Sequence, residues 1–270
     1  MAIHATAIID KSAVIHPDAE IGAYAIIEGH VRIGAGTRVY PHGYVSWGTT
    51  LGERVEVHPH AVVGHLPQDV KFSGAPSYTV VGDGTIIREG ATIHRGTVPE
   101  STTVVGRNCM IMATGHVGHN CVVGDNVTIA NSGLLAGHVQ VGERAFVSGC
   151  AAVHQFVRIG ALVMLSGGTR SVNDVPPYML VSLQGVASIN VVGMRRAGLS
   201  AEERLEVRRA HRLLYRSGLT FPAAVAQLAE MVRTDAGRRV LAFLREPSRR
   251  GFMRFRGAPR HTESVGEEAE

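Results

Sequence analysis

Aromatic residues are scarce in this 270-residue chain. Phe, Trp and Tyr make up only 5% of it, although 45% of the residues are hydrophobic and 32 are glycine. The scarcity excludes a core built around large aromatic rings, and the hydrophobic content excludes a disordered chain. The composition favours many short, similar strands that are joined by tight corners.

Cysteines and long apolar runs are also missing. The three cysteines, Cys109, Cys121 and Cys150, are too few and odd in number for a disulfide framework. No apolar stretch approaches the length that a bilayer requires, and the first ten residues lack the charged and then apolar layout of a signal peptide. These absences predict a cytoplasmic protein without a transmembrane segment.

Lysine occurs only at positions 11 and 71, and charge is unevenly distributed. Residues 1–190 hold 11 basic and 13 acidic residues, whereas residues 191–270 hold 16 and 10. The basic C-terminal part would attract an acidic partner by long-range electrostatic steering. We expect that partner to be a protein and not a nucleic acid.

An aliphatic residue recurs at every sixth position from Ile3 to Leu165. Ile, Leu or Val occupies 25 of these 28 positions, and the exceptions are Asp69, Ala75 and Pro99. Neither helical periodicity nor simple strand alternation produces a period of six. Hexads of this kind are typical of parallel β-helices, in which each hexad is one short strand and a corner. Three hexads then form a triangular coil that encloses the aliphatic side chains.

The β-helix is predicted to cover residues 1–190, with two interruptions. The segment HLPQDVKFSGAPSY, residues 65–78, contains two prolines and a glycine and predicts a loop that is ejected from a coil. The segment TVPESTT, residues 97–103, predicts a second and shorter excursion. Loops that leave a regular scaffold often carry function.

A small α-helical C-terminal domain is predicted for residues 191–256. Ser200 and Glu203 form a capping-box pattern at the start of the first helix. The predicted helices cover residues 200–216, 220–232 and 235–245. The polar tail, residues 257–270, is predicted to be disordered.

Four histidines, His116, His119, His138 and His154, fall close to one coil apart. A single corner histidine is most simply a solvent-exposed residue, but four on one edge of the prism favour a site. Imidazole titrates near neutral pH and can take a proton from an attacking hydroxyl. A metal site is not predicted, because no nearby Cys or Asp completes a zinc ligand set.

Several fragments go beyond the bare repeat and run in order from about Ile8 to Phe255. They are PQDVKFSGAPS (67–77), IREGATIHRGT (87–97), GHVGHNC (115–121), LAGHVQV (135–141), AVHQFVRIGALVM (152–164), DVPPY (174–178) and YRSG (215–218). Together they resemble the UDP-N-acetylglucosamine acyltransferases of lipid A biosynthesis, which are hexapeptide-repeat enzymes. The resemblance implies an all-β, left-handed parallel β-helix and a homotrimer with active sites between subunits.

The same resemblance implies an acyl transfer. An R-3-hydroxyacyl group would pass from acyl carrier protein to the 3-position of the glucosamine unit of UDP-N-acetylglucosamine, the first step of lipid A biosynthesis. The donor travels on the phosphopantetheine of the carrier, so no further cofactor is expected. His119 matches the general base, and the backbone N–H of Gly137 matches the oxyanion donor. No G-x-S-x-G pattern occurs, which favours direct attack over an acyl-enzyme.

Further positions match substrate-binding residues of the family. They are Gln68, Asp69, Lys71, His116, His138, His154, Gln155, Asn190 and Arg196. Gly167 matches the position at which side-chain bulk limits acyl length, and glycine there predicts room for a longer chain. Asn120 departs from the pattern, because an acidic residue commonly follows the catalytic histidine. A neutral amide would stabilise an imidazolium less well than a carboxylate.

Two alternatives stay open at this point. Some relatives use a 3-amino sugar and form an amide, and the sequence does not choose between these acceptors. A non-catalytic or metal-binding β-helix scaffold would make the histidines incidental. A related N-acyltransferase is disfavoured, because it carries an N-terminal globular domain whereas the hexads here begin at Ile3. Acetyl-CoA-dependent hexapeptide enzymes leave the His119 and Gly137 pair unexplained.

Overall fold

A computed structural model describes residues 2–254, which form 28 short strands followed by four helices. The strands are β1 Ala2–Ile3, β2 Ile8–Ile9, β3 Val14–Ile15, β4 Glu20–Ile21, β5 Ile26–Ile27, β6 Arg32–Ile33, β7 Arg38–Val39, β8 Tyr44–Val45, β9 Thr49–Leu51, β10 Glu56–Val57, β11 Val62–His65, β12 Tyr78–Val81, β13 Ile86–Ile87, β14 Thr92–His94, β15 Thr102–Val105, β16 Met110–Ile111, β17 His116–Val117, β18 Val122–Val123, β19 Thr128–Ile129, β20 Leu134–Leu135, β21 Gln140–Val141, β22 Phe146–Val147, β23 Ala152–Val153, β24 Arg158–Ile159, β25 Met164–Leu165, β26 Arg170–Ser171, β27 Met179–Ser182 and β28 Gly185–Ile189. The helices are α1 Val191–Arg196, α2 Ala201–Arg216, α3 Phe221–Met231 and α4 Asp235–Arg245. The tail that was predicted to be disordered, residues 257–270, lies outside the described residues.

The strands wind around three sides of a prism. Each strand from β1 to β23 pairs in parallel with the strand three places later in the chain. At the C-terminal end, β25 pairs in parallel with β27, which pairs in antiparallel with β28. The resulting sheets of 11, 9 and 8 strands are called side 1, side 2 and side 3 after β1, β2 and β3. Ala2 pairs with Glu20, so the chain advances by three hexads in each coil. The fold is a parallel β-helix, as the hexads predicted, and it is left-handed, as the family resemblance predicted.

The aliphatic residue of each hexad fills the prism. Ile87, Ile129 and Leu165 have no exposed surface, whereas the strand residue before each of them faces outward and is partly exposed. Ile3 belongs to the first coil and is 39% exposed, because no coil covers that end of the prism among the described residues. The period of six therefore reflects one large aliphatic inward residue on each side of the triangle, and the smaller residue four positions later, such as Ala25 or Ala61, is also buried.

Corners are tightest where glycine follows the aliphatic residue. A Cβ on Gly124 would lie 2.8 Å from the backbone nitrogen of Glu143 on the next coil. Such a contact is too short for real atoms, so the close approach of the coils requires glycine there. Two residues further on, Asn126 has a φ of 58°. This left-handed conformation is one that Asn adopts more readily than most residues.

Both interruptions insert whole hexads. Val62 pairs with Thr92, so the chain advances here by two hexads more than one coil requires. Thr92 in turn pairs with His116, which is one hexad more than one coil requires. The hexad register therefore continues past both interruptions. It also explains why the three exceptions to the repeat, at 69, 75 and 99, all fall inside the inserted segments.

The helices begin and end close to the predicted positions. Ser200 accepts a hydrogen bond from the backbone of Glu203, whose carboxylate accepts from the backbone of Ser200, which confirms the capping box. Helix α1 was not predicted from the sequence. Arg158 on side 3 binds the buried carboxylate of Asp174 at 2.7 Å and Glu246 after α4 at 2.7 Å, which anchors the helices to the prism. No helix within residues 2–254 is long and apolar enough to cross a membrane.

Candidate active site

Six predicted site residues lie at or beside one corner of the prism, between sides 2 and 3, which we call the 2–3 corner. They occupy three successive coils and are His116, His119, Gly137, His138, His154 and Gln155. The backbone N–H of His138 donates to the carbonyl of His119 at 2.9 Å, so these two residues are direct neighbours across coils. The predicted stacking of the four histidines on one edge is confirmed.

The imidazole of His119 is largely buried and held on three sides. Its Nδ1 lies 3.0 Å from Oδ1 of Asn120. Its Nε2 lies 3.9 Å from Oδ2 of Asp69, a carboxylate of the ejected loop. Its ring meets the ring of His138 edge to face, with centroids 5.1 Å apart. One ring nitrogen is therefore engaged by a neutral amide, and the other faces a negative charge.

Gly137 lies directly beside this imidazole. A Cβ at residue 137 would lie 2.3 Å from both Cε1 and Nε2 of His119, so any side chain would displace the ring. The backbone N–H of Gly137 makes no hydrogen bond to any part of residues 2–254. The equivalent N–H of Gln155, one coil later, also makes no such hydrogen bond, so an unpaired N–H does not by itself identify an oxyanion donor. Its position beside Nε2 of a buried histidine is what distinguishes Gly137.

His116 and His94 form an edge-to-face pair on side 2, next to the 2–3 corner. Their ring centroids are 4.8 Å apart, and Nδ1 of His116 lies 2.7 Å from Oγ1 of Thr92. Desolvation by burial lowers the pKa of His94 to about 4 and also lowers the pKa of His116. Both rings are therefore neutral at pH 7. They offer hydrogen-bonding atoms to a ligand but no positive charge.

The next coils add His138, His154 and Gln155. The ring of His138 stacks on Phe156 at 4.7 Å, and desolvation lowers its pKa. His154 directs Nδ1 at the carbonyl of Gln155 at 3.2 Å, and that carbonyl also accepts from Nε of Arg250. A shallow polar surface thus continues from His119 towards the C-terminal end of the prism.

The ejected loop covers His119 through Asp69. Oδ1 of Asp69 accepts the backbone N–H of Lys71 at 2.9 Å, which leaves Oδ2 directed at His119. Gln68 and Lys71 are exposed on either side. The loop therefore directs one acidic side chain, that of Asp69, at the imidazole of His119.

Three other predicted residues lie away from the 2–3 corner. Asn190 lies at the corner between sides 3 and 1, where Nδ2 donates to the carbonyl of Leu162 at 2.9 Å and Oδ1 caps α1 by accepting from Gly193. Arg196 ends that helix. Gly167 lies at the corner between sides 1 and 2. Within one chain, these residues do not join the His119 cluster.

Several residues of the cluster were missed by sequence reasoning. Thr92 contacts His116, His94 packs against it, Phe156 supports His138, and Thr97 binds Asn120. The contact between Thr92 and His116 could be found only by knowing that the second excursion adds one hexad. Thr97 lies inside that excursion, and the break in the hexads was the signal that could have drawn attention to it.

The described part of the chain contains no group of three or more His, Cys, Asp or Glu side chains that could hold a metal ion. The three cysteines are all free.

Comparison with known proteins gives consistent matches. A family model described as UDP-N-acetylglucosamine O-acyltransferase, domain 2, matches residues 174–253. An acyl-[acyl-carrier-protein]–UDP-N-acetylglucosamine O-acyltransferase of Burkholderia lata is 42% identical over 259 residues, which cover 93% of this chain and 99% of that protein. One of the same name from Xanthomonas euvesicatoria is 41% identical and covers 93% of this chain and 97% of its own length.

Solved structures agree. The UDP-N-acetylglucosamine acyltransferase of Francisella novicida matches with a TM-score of 0.90 at 34% identity, and the match covers 93% of this chain and 94% of that one. The UDP-N-acetylglucosamine O-acyltransferase of Moraxella catarrhalis matches with a TM-score of 0.89 at 36% identity, and covers 93% and 99%. The likeness therefore spans the prism and the helices together.

Proposed function

Because the chain belongs to the family of acyl-[acyl-carrier-protein]–UDP-N-acetylglucosamine O-acyltransferases, we propose that it transfers an R-3-hydroxyacyl group to the 3-hydroxyl of the glucosamine unit of UDP-N-acetylglucosamine. The donor is the thioester on the phosphopantetheine of acyl carrier protein. This reaction opens lipid A biosynthesis. The observation that carries the proposal on this chain is the buried His119, with Nε2 between the Asp69 carboxylate and Gly137.

His119 acts as the general base in this proposal. The sugar hydroxyl attacks the thioester carbonyl carbon while its proton passes to Nε2. The tetrahedral intermediate then collapses, the C–S bond breaks, and the imidazolium returns the proton to the departing sulfur of the carrier. Proton transfer of this kind contributes roughly 10²- to 10⁴-fold to a rate. No covalent enzyme intermediate is needed.

Asp69 compensates for the neutral amide at position 120. Nε2 becomes positively charged as it takes the proton, and the Asp69 carboxylate is 3.9 Å from it. Opposite charges at that distance attract most strongly when water is excluded, and His119 is only 13% exposed. Asp69 therefore supplies, from the ejected loop, the negative charge that relatives commonly place directly after the histidine.

Gly137 supplies the oxyanion donor. The oxygen of the tetrahedral intermediate develops negative charge, and a fixed backbone N–H beside the attacking hydroxyl stabilises it without reorganisation. The N–H of Gly137 has no competing partner within residues 2–254. Its location beside the base puts both catalytic groups within reach of one carbonyl.

The site is completed by neighbouring subunits in a homotrimer. Asn190 and Gly167 lie at other corners than His119, and Arg196 ends the helix that Asn190 caps, so one chain does not bring all of them to one substrate. Three parallel prisms would bring the edges of one chain against the 2–3 corner of the next. Arg196 would then bind phosphate through its planar guanidinium, and Gly167 would limit the acyl groove.

The chain acts in the cytoplasm, and its acceptor group is the 3-hydroxyl of UDP-N-acetylglucosamine. Acyl carrier protein and UDP-sugar are substrates of its relatives by name, and the described cysteines are all free. The names of these relatives specify O-acylation, which favours UDP-N-acetylglucosamine over the 3-amino sugar. The amide-forming reaction is the second candidate because His119 could take a proton from either group.

A direct assay tests the proposal. Purified protein is incubated with R-3-hydroxyacyl carrier proteins of several chain lengths and with UDP-N-acetylglucosamine or its 3-amino analogue, and products are identified by mass spectrometry. We expect an ester on the natural sugar, and at least a 100-fold lower kcat for His119→Ala. Full turnover of that variant would exclude the mechanism. Preferential amide formation would show that the acceptor is the 3-amino sugar and not UDP-N-acetylglucosamine. Absence of any transfer would favour the scaffold alternative.

A further inference from the structure

The second excursion, between β14 and β15, reaches His119 through Asn120. The backbone N–H of Thr97 donates to Oδ1 of Asn120 at 3.0 Å, and the hydroxyl of Thr97 donates to the same oxygen at 2.9 Å. The backbone N–H of Asn120 donates to Oγ1 of Thr103 at 2.7 Å. Asn120 is therefore clamped by residues from both ends of the excursion.

The excursion itself is rigidly built. The hydroxyl of Ser77 donates to the carbonyl of Gly96 at 2.7 Å, and the N–H of Glu100 donates to the carbonyl of Pro76 at 2.8 Å. A Cβ on Gly96 would lie 2.2 Å from Oγ of Ser101, so the turn has no spare room. Thr97 is buried, and its N–H is fixed in space by this turn.

The backbone N–H of Thr97 settles the orientation of the Asn120 amide. A peptide N–H can only donate a hydrogen bond. The side-chain atom that it meets must therefore be the oxygen of Asn120, since an amide NH₂ there would set two donors against each other. The same oxygen lies 3.0 Å from Nδ1 of His119. An oxygen without a hydrogen can only accept, so Nδ1 must carry the proton.

We propose that Thr97 is a positioning residue of the acyl-transfer site, which through Asn120 fixes His119 as the tautomer with Nδ1 protonated and the Nε2 lone pair free. This inference rests on the proposed function and extends it to a residue outside the histidine cluster. The Nε2 lone pair is what a general base requires, and it faces Asp69 and Gly137. The opposite tautomer would present a donor to the sugar hydroxyl and could not take its proton.

The Thr97–Asn120 pair selects the tautomer without adding charge. The charged or titratable groups that face His119 are Asp69 at 3.9 Å from Nε2, His138 at 5.1 Å between ring centroids, His116 on the same coil and His94 on the preceding one. The pKa values of His138, His116 and His94 are all lowered, with desolvation as the largest cause, so these rings are neutral at pH 7. Asp69 is thus the one charge among these groups at neutral pH.

Kinetics of matched variants test the pair. Asn120→Ala removes the acceptor for Nδ1, and we expect kcat to fall about 100-fold with little change in either KM, because a wrongly protonated base binds substrate but cannot act. Asn120→Asp keeps an acceptor, so its kcat stays within about threefold of the original. Its added charge stabilises the imidazolium, and the acidic limb of the kcat/KM profile moves about one pH unit upward.

Thr97 is tested by a double-mutant cycle with Asn120. Thr97→Val removes the hydroxyl donor to Asn120 and keeps the backbone N–H, so we expect kcat to fall only about threefold to tenfold in the original chain. The same change should have no effect when Asn120 is already Ala, because the hydroxyl acts only through the Asn120 oxygen. Thr102→Val on β15 removes a neighbouring hydroxyl and should leave the kinetics unchanged. Additive effects of Thr97→Val and Asn120→Ala, or a loss below threefold for Asn120→Ala, would overturn the proposal.

A readout that needs no turnover separates this inference from the proposed function. In protein labelled with ¹⁵N-histidine, long-range proton–nitrogen spectra distinguish the two tautomers, and the His119 signal is the one that disappears in His119→Gln. We expect a protonated Nδ1 and an unprotonated Nε2 at pH 8, and a mixture of tautomers in Asn120→Ala. A protonated Nε2 in the original chain would refute the positioning role even if acyl transfer were observed.

Discussion

The imidazole of His119 occupies the space in which a side chain on residue 137 would have to lie. A Cβ built on Gly137 falls 2.3 Å from Nε2 of His119, far inside any real contact distance. Glycine at 137 therefore has two consequences. It leaves room for the base, and it lets the backbone at residue 137, with its unpaired N–H, approach the imidazole closely.

Gly137→Ala should remove most activity without unfolding the protein. The methyl group must push the ring of His119 away from Asp69, and misplacement of a catalytic group by about 1 Å can cost about 100-fold in rate. The measurement is kcat/KM together with the thermal midpoint. Gly149→Ala is the matched control, because a Cβ there would meet only the carbonyl of Asn131 at 3.5 Å. Equal activities of the two variants would contradict the assignment.

Asp69→Asn should lower kcat by about 10- to 100-fold, while the protein stays folded. The carboxylate is the negative charge closest to Nε2 of His119, at 3.9 Å, and an amide of the same shape cannot stabilise the imidazolium that forms during the reaction. The amide can still accept the backbone N–H of Lys71, so the loop should keep its turn. A change confined to KM would mean that Asp69 binds substrate and does not assist proton transfer.

Acid should destabilise the protein in part through His94. The pKa of this ring is about 4 in the folded chain, against 6.5 for an ordinary histidine, because burial disfavours the charged form. Between these values the unfolded chain binds more protons, so stability falls as the pH decreases from about 6.5 to about 4. Between pH 7 and pH 4.5, the free energy of unfolding of His94→Gln should therefore fall by about 2 kcal/mol less than that of the original chain, as measured by urea denaturation. Equal decreases in the free energy of unfolding of both proteins would contradict the expectation.

Rising salt concentration should raise the KM for acyl carrier protein. Arg208, Arg209 and Arg212 are exposed on α2, in a C-terminal part that carries a net positive charge, and carrier proteins of this kind are acidic. Reversing two of these charges with Arg208→Glu and Arg212→Glu should raise the KM for the carrier about tenfold at low salt, with kcat and the KM for the sugar unchanged. Arg32→Glu, an exposed arginine on side 3, is the control. Kinetics that do not respond to salt would exclude this docking surface.

Gly167→Met should shorten the acyl chain that is transferred. A Cβ at residue 167 would meet only the carbonyl of Gly149 at 3.4 Å, so a side chain can be accommodated with little strain. Its bulk would project into the groove that we propose for the acyl chain. Mass spectrometry of products from mixed donors should show transferred acyl chains that are several methylenes shorter. An unchanged product profile would show that Gly167 does not border the groove.

Much of this molecule follows from local pattern. The inward Ile, Leu and Val side chains specify a coil of three hexads because each side of the triangle takes one large aliphatic side chain of the repeat into the interior. Helices α2, α3 and α4 begin and end near their predicted bounds, because capping residues act within one turn. The two interruptions insert whole hexads and preserve the register, so the same count carries His119 and His138 to one corner.

The contacts of His119 do not follow from the repeat. Thr97, Asn120 and His119 meet only because the second excursion folds over the next coil of the prism. No spacing rule gives the direction of a side chain inside such a turn. Asp69 reaches Nε2 through the conformation of the ejected loop, for the same reason. The sequence identified Asn120 as a weakened support for the base. The tertiary structure shows an amide locked by Thr97, with the negative charge supplied from the opposite side by Asp69.

The prism, its register and the edge on which the histidines stack follow from the amino-acid pattern alone, because they depend on a repeat that every coil obeys. Only the three-dimensional structure shows which nitrogen of His119 faces the cleft, which group holds the other nitrogen, and that Asn190, Arg196 and Gly167 lie away from the 2–3 corner. These depend on where irregular segments and chain ends fold back in space, and burial and hydrogen bonding between distant residues fix that outcome.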